Sequence, residues 1–308
     1  MLLKMRFLTI MLISALSFSC SFNHPKRGGD SALLRHDFLI DSEKNIPFRQ
    51  TIVNDYCQLL DTLDQGDLAS LDFAGAHLCN YATDTLIRDS LFAVYQDYMR
   101  RMASNYPENN ERVGFLLEHS PTPEALAPLR SALASRGILL NKSEDNYNLE
   151  PQSLFLLQNF GPVLSSAYRE FLTLEVKEEQ EHISGDEMKV LPVDSLISRI
   201  LIWEKFNTQY PGFVSLRKAY DKYALYLGIY LAGIDHSRVF DSGTNLLNDS
   251  SRASFESFIV QNPETGSAAL VKGYLDLLKS SGYRYSDKVD SFLMEKVFGA
   301  ETIRESKP

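Results

Sequence analysis

The chain has 308 residues, 44% of them hydrophobic, and a formal net charge of -9. That apolar content excludes wholesale disorder and supplies a core for one large or two small globular domains. So acidic a surface gives no electrostatic attraction to nucleic acid or to anionic lipid headgroups, and it leaves cationic partners open.

Residues 1–19 have the order of a secretion signal. Lys4 and Arg6 make a positive start, Phe7 to Leu16 is apolar apart from Thr9 and Ser14, and Ser17, Phe18 and Ser19 lead to Cys20. The apolar run is shorter than the ~20 residues a permanent membrane helix needs, and no later segment reaches that length. Leu16-Ser17-Phe18-Ser19-Cys20 resembles a lipobox, the site at which bacterial lipoproteins are lipidated and cut. Leu16 stands four places before the cysteine rather than three, and looser boxes of this kind resemble those of Bacteroidota. The resemblance covers only the first twenty residues. It implies that Cys20 carries lipid, becomes the new N-terminus and fixes the chain to a membrane. Removing residues 1–19 takes away two positive charges and leaves -11. With Ser21, not Asp, after the cysteine, and no acidic cluster following, the resemblance implies an outer-membrane anchor with the body facing the periplasm. The other reading is an ordinary signal peptide cut near Ser19, with Cys20 left as a thiol. Residues 20–30, polar with two glycines and a proline, read as a flexible tether.

The spacing then predicts a helix from Pro47 to about Asp64 and a second starting near Ser70. Cys57 and Cys79 lie on them, each 11 residues from a connection centred near Leu68. In an oxidising compartment an antiparallel pair would bring them level for a disulfide. Two buried thiols are the other reading. Neither is catalytic, since no C-x-x-C is present.

Further on, Ile87, Leu91, Val94, Tyr95, Tyr98 and Met102 recur at three- and four-residue steps and share one helical face. The apolar runs Val113 to Leu117 and Gly137 to Leu140 flank a predicted helix from Pro123 to Arg136, and they are the candidates for a minor β element around 113–140. Asn141 to Glu150 is a polar loop. Glu175 to Glu187 reads as a solvated helix end and a boundary between an N-terminal helical region, 31–180, and a C-terminal hairpin region, 188–300, unless the two form one continuous domain. The fold class expected is mainly α, built of successive antiparallel helical hairpins.

The strongest organisational signal is a repeat. Trp203-Glu204-x-Phe206-x-x-Gln209-x-Pro211 matches Phe255-Glu256-x-Phe258-x-x-Gln261-x-Pro263, 52 residues on, and Leu216-x-Lys218-x-Tyr220 matches Leu270-x-Lys272-x-Tyr274. Each copy is an amphipathic helix stopped near a proline that cannot extend it, the recipe for an αα-hairpin. Asn105-Tyr106-Pro107 is a weaker third copy of the turn. The pattern resembles tetratricopeptide-like periplasmic lipoproteins in its helix stacking. The ~34-residue period of such arrays is absent, so the resemblance concerns stacking and not membership.

Motifs for chemistry are sparse. The sequence has no Walker loop, no G-x-G-x-x-G, no G-x-S-x-G and no H-E-x-x-H. None of His24, His36, His77, His119, His182 and His236 pairs with another at the three- or four-residue step that places two imidazoles on one helix face. His182 sits in the Glu175 to Glu187 charge run, and His77 stands two residues before Cys79, so neither position by itself makes a metal or catalytic site. No cofactor or metal is implied. Two contact candidates remain. The loop Gly233 to Gly243 gathers Asp235, His236, Arg238 and Asp241 within seven residues, either to hold a polar ligand or only to cap and turn the chain. Tyr220, Tyr223, Tyr226 and Tyr230 crowd one helix, either as an aromatic platform for glycan or peptide or as core.

Together these features favour a membrane-anchored envelope lipoprotein with a helical body, acting as a non-enzymatic binding or scaffold protein for a protein, peptide or glycan partner. A hydrolase or other enzyme with a dispersed active site, and a purely structural tethered domain, are the alternatives.

Overall fold

The computed structural model describes residues 46–81, 84–119, 121–143, 146–181, 191–234 and 237–299. Cys20 and the tether lie outside the described residues, as do His24, His36, His182, Asp235 and His236. Within them the fold is mainly α with minor β elements. Helices α1 (Ile46–Asp61), α2 (Ala69–Tyr81), α3 (Thr85–Asn109), α4 (Glu111–Glu118) and α5 (Pro123–Ala134) are followed by strands β1 (Ile138–Ser143) and β2 (Asn146–Pro151). Then come α6 (Ser153–Phe160), α7 (Ser166–Glu181), α8 (Val193–Gln209) and α9 (Leu216–Ala232), a two-residue hairpin β3 (Gly233–Ile234) and β4 (Ser237–Arg238), α10 (Asp249–Gln261), α11 (Gly266–Ser280) and α12 (Asp287–Leu293), ending in a π-helical turn, Met294–Phe298. No helix among the described residues is long and apolar enough to cross a membrane.

The β element is real, but half of its expected composition is wrong. Residues 113–117 are helical, not extended: Asn110 accepts from Val113 N at 3.2 Å and so caps α4, and a capped apolar run winds rather than extends. The partner of the 137–140 run is instead the polar loop that follows it, which pairs antiparallel with Ile138 opposite Pro151 and Leu140 opposite Leu149. Pro107 likewise fails to stop its helix. It lies inside α3, in the last turn, where it removes a single backbone bond, the one residue 107 would give to Ala103; buried Tyr106 anchors that turn, and its carbonyl accepts from Asn110 N at 3.0 Å.

The repeat predicts its region well. α8 and α9 form one hairpin and α10 and α11 another, with breaks after Gln209 and Gln261 as expected. Trp203, Phe206, Phe255 and Phe258 are all fully buried. Buried side chains from Tyr56 to Val297 form one continuous core cluster, so the two expected regions pack as a single body. Its aromatic centre joins them: Phe92 meets Tyr168 edge-on at 4.9 Å, Tyr168 meets Phe213 at 5.0 Å, and Phe171 meets Trp203 at 5.6 Å. Burial of several such rings, each worth about 2–3 kcal/mol in transfer free energy, fixes how α3, α7 and α8 approach one another.

Three of the helices start against a carboxylate from elsewhere in the chain. Ser165 N, just before α7, donates to Asp89 Oδ1 at 3.0 Å. Ser153 N, at the start of α6, donates to both oxygens of Glu179 at 3.2 Å. Gly266 N, at the start of α11, donates to Glu204 Oε1 at 2.5 Å, and Ser267 gives Glu204 both its N–H and its hydroxyl. A negative charge at these positions satisfies otherwise orphaned N–H groups and opposes the positive end of the helix dipole.

Candidate functional site

A cleft of about 240 Å³ lies between α7 and the first half of α8, lined by Leu174, Lys177, Glu178, Glu181, Asp194, Ser195, Ser198, Arg199, Ile202 and Trp203. Its origin is in the pattern of α7. Tyr168, Phe171 and Leu172 are buried, and the same helical face continues through half-buried Glu175 and buried Glu178. Carboxylates thus take positions where the period calls for apolar residues, so each must find partners or destabilise the fold.

Glu178 finds two. Trp203 Nε1 donates to its Oε1 at 2.6 Å, and Lys222 Nζ, from α9, sits 2.9 Å from its Oε2. Arg199, with a side chain only 5% exposed, donates through Nη2 to Glu181 Oε2 at 3.0 Å and through Nη1 to Tyr226 Oη at 3.2 Å. Burial alone would lower the Arg199 pKa, but the hydrogen bond to Glu181 and the nearby Tyr226 and Glu178 outweigh it and hold the guanidinium charged. Its Nε is buried with no hydrogen-bond partner among the described residues. Glu175 is pushed above the usual carboxylate range by burial, against the pull of Lys222, with Glu179 and Glu178 adding to the rise. At the rim, Lys177, Asp194 and Ser198 are exposed and Glu181 is partly so.

Chemically, the floor is an interlocked set of ion pairs and charge-assisted hydrogen bonds, and the rim offers donors and acceptors of both signs. None of the lining residues is a cysteine or a histidine. Among the described residues, no three of His, Cys, Asp and Glu converge as a metal set.

The residues singled out from sequence lie elsewhere or play other parts. Cys57 and Cys79 are not joined by a disulfide. The connection between their helices runs from residue 62 to 68, so its midpoint is Gln65, eight residues after Cys57 and fourteen before Cys79. That six-residue offset is about 9 Å of helix rise, and the two are not level. Between the helices stands Tyr56, whose hydroxyl donates to Ala74 O at 3.0 Å and whose ring stacks on His77 at 6.0 Å. Of the loop, Arg238 is exposed, and Asp241 accepts from Gly243 N, Thr244 N and Thr244 Oγ1 at 2.8–3.1 Å. Those bonds, the Thr244 side chain first, hold the Asp241 carboxyl below its ordinary range. They make it a turn-capping group.

The tyrosines are core. Tyr223, Tyr226 and Tyr230 are buried, with hydroxyls meeting Ser267, Arg199 and Ser254, and half-buried Tyr220 donates to Val297 O at 3.2 Å. They therefore present no open platform, although Tyr226 closes the floor of the cleft network. Sequence reading missed Glu178, because EVKEEQE looks solvated, and it passed over Arg199 on α8. The available signal was that Glu175 and Glu178 fall on the buried stripe of α7. No protein-family model, no curated protein and no solved structure matches the chain.

Proposed function

We propose that the chain is an envelope lipoprotein, fixed by lipid on Cys20 to the outer membrane, whose helical body is a non-enzymatic binding module facing the periplasm. The anchor reading is supported by the Lys4–Arg6 start, the short apolar run and the Leu16-Ser17-Phe18-Ser19-Cys20 box. The binding reading is carried by the α7–α8 cleft. Its buried charges are consumed by structural partners, with both oxygens of Glu178 engaged and Arg199 tied to Glu181 and Tyr226. A general acid or nucleophile needs a group with a proton or lone pair to spare. A binding site needs a concave, rigid surface with a few fixed polar groups, which the cleft has.

Cys20→Ala tests the anchor. Palmitate labelling should vanish and the protein should leave the membrane fraction; unchanged membrane association refutes it. Turnover of a ligand that binds the cleft, read as product by NMR, refutes the non-enzymatic assignment and leaves the anchor standing.

A further inference from the structure

We propose that the α7–α8 cleft binds a neutral polyhydroxylated ligand, a single sugar ring or the terminal ring of a glycan. This rests on reading the body as a binding module and names the ligand class of that same cleft.

A volume of about 240 Å³ suits one ring and not an extended peptide. The lining carries three carboxylates, Glu178, Glu181 and Asp194, and two cations, Lys177 and Arg199. Glu178 is already paired with Lys222, which leaves Glu181 and Asp194 against Arg199 and Lys177, so a full charge of either sign gains from one set what it loses to the other. A hydroxyl is donor and acceptor at once. Hydroxyls suit such a lining, donating to Glu181 or Asp194 while accepting from Lys177, Ser195 or Ser198. Arg199 adds donors: Nη1 and Nη2 carry two N–H groups each, and among the described residues each gives one bond, to Tyr226 and to Glu181. Leu174 and Ile202 supply the apolar wall against which the C–H face of a ring can rest.

Trp203, the only tryptophan of the chain, lines this cleft, so its fluorescence reports occupancy. The test titrates the mature chain with glucose, N-acetylglucosamine and galactose, and in parallel with putrescine and acetate. For a ligand of ring size, a Kd of about 1 mM is expected. The expected result is a saturable change with at least one of these sugars, weakened about tenfold or more in Asp194→Asn and abolished in Ser198→Phe. Both positions are exposed, and an unchanged unfolding midpoint shows that each variant folds. No saturable response to any of the three sugars at about 100 mM, a hundredfold above that Kd, overturns the proposal. So does a sugar response that Ser198→Phe leaves intact. Binding of putrescine or acetate in place of a sugar also overturns it, while keeping the binding module.

Discussion

Trp203 and Glu178 meet across the α7–α8 contact with the indole Nε1 2.6 Å from Oε1, so one fully buried ring both fills the core and gives a hydrogen bond to a carboxylate that the helix period has placed inside. The two contributions can be separated. Trp203→Phe keeps most of the packing and leaves Glu178 short of a donor, which should cost about 1–3 kcal/mol for the unmet bond, plus the volume lost. Trp203→Ala should cost about 3–5 kcal/mol for the cavity alone. Urea unfolding of the two variants measures both, and a Trp203→Phe variant as stable as the parent would show that the remaining partners, Lys222 among them, suffice for Glu178.

Glu204 caps α11 from α8, through Gly266 and Ser267. Glu204→Ala should lose about 1–2 kcal/mol of stability. Amide hydrogen exchange at the Gly266 and Ser267 N–H groups should accelerate more than exchange in the middle of α10. Glu256, the repeat partner of Glu204, is exposed. Its alanine variant should stay within about 0.5 kcal/mol of the parent, which makes it the internal control.

Glu175 predicts a dependence on pH. Burial raises its folded-state pKa above the unfolded one, so between the two values the folded chain binds the extra proton. Stability from this group is therefore lost as pH rises from the unfolded carboxylate pKa of about 4.3 through the folded value. At neutral pH Glu175→Gln should raise Tm, and the gain should shrink toward zero below about pH 4. A variant less stable than the parent at pH 7 would mean that attraction to Lys222 outweighs the burial.

The thiols of Cys57 and Cys79 sit six residues out of level about their connection. The mature protein, denatured without reductant, should give up both to alkylation, read as two adducts in the intact mass. A Cys57→Ser, Cys79→Ser chain should melt within a few degrees of the parent in oxidising buffer. A native disulfide would instead block alkylation and cost about 3 kcal/mol on removal.

The parts of this fold that were legible in the sequence are those where one residue type has one physical use. Trp203 and Phe206, three apart, could share only a buried face, and Pro211 and Pro263 follow real helix stops. Pro107 has the same identity but sits in the last turn of α3, which still closes through the Asn110 N–H on the Tyr106 carbonyl, so its meaning depended on position. Val113 to Leu117 was too short for periodicity to separate strand from helix, and the deciding feature was the Asn110 cap. The cleft was the least legible. A glutamate on a charged stretch normally faces water, and it is partners such as Trp203 and Lys222, 25 and 44 residues away, that make Glu178 acceptable inside. The cysteine pairing failed for a smaller reason, a connection centred three residues earlier than expected.

The carboxylates that begin α6, α7 and α11 come from 26, 76 and 63 residues away in the chain. In stacked hairpins each unit ordinarily leans only on its neighbours, and such stacks can melt piecemeal from an end. Here Asp89 ties α3 to the start of α7, Glu179 ties α7 back to α6, and Glu204 ties the first repeated hairpin to the second. Losing α3 strips α7 of its first-turn partner, and losing the first repeated hairpin strips α11 of its own. The body should therefore unfold as one cooperative unit, with calorimetric and van't Hoff enthalpies equal, even though its sequence advertises a repeat.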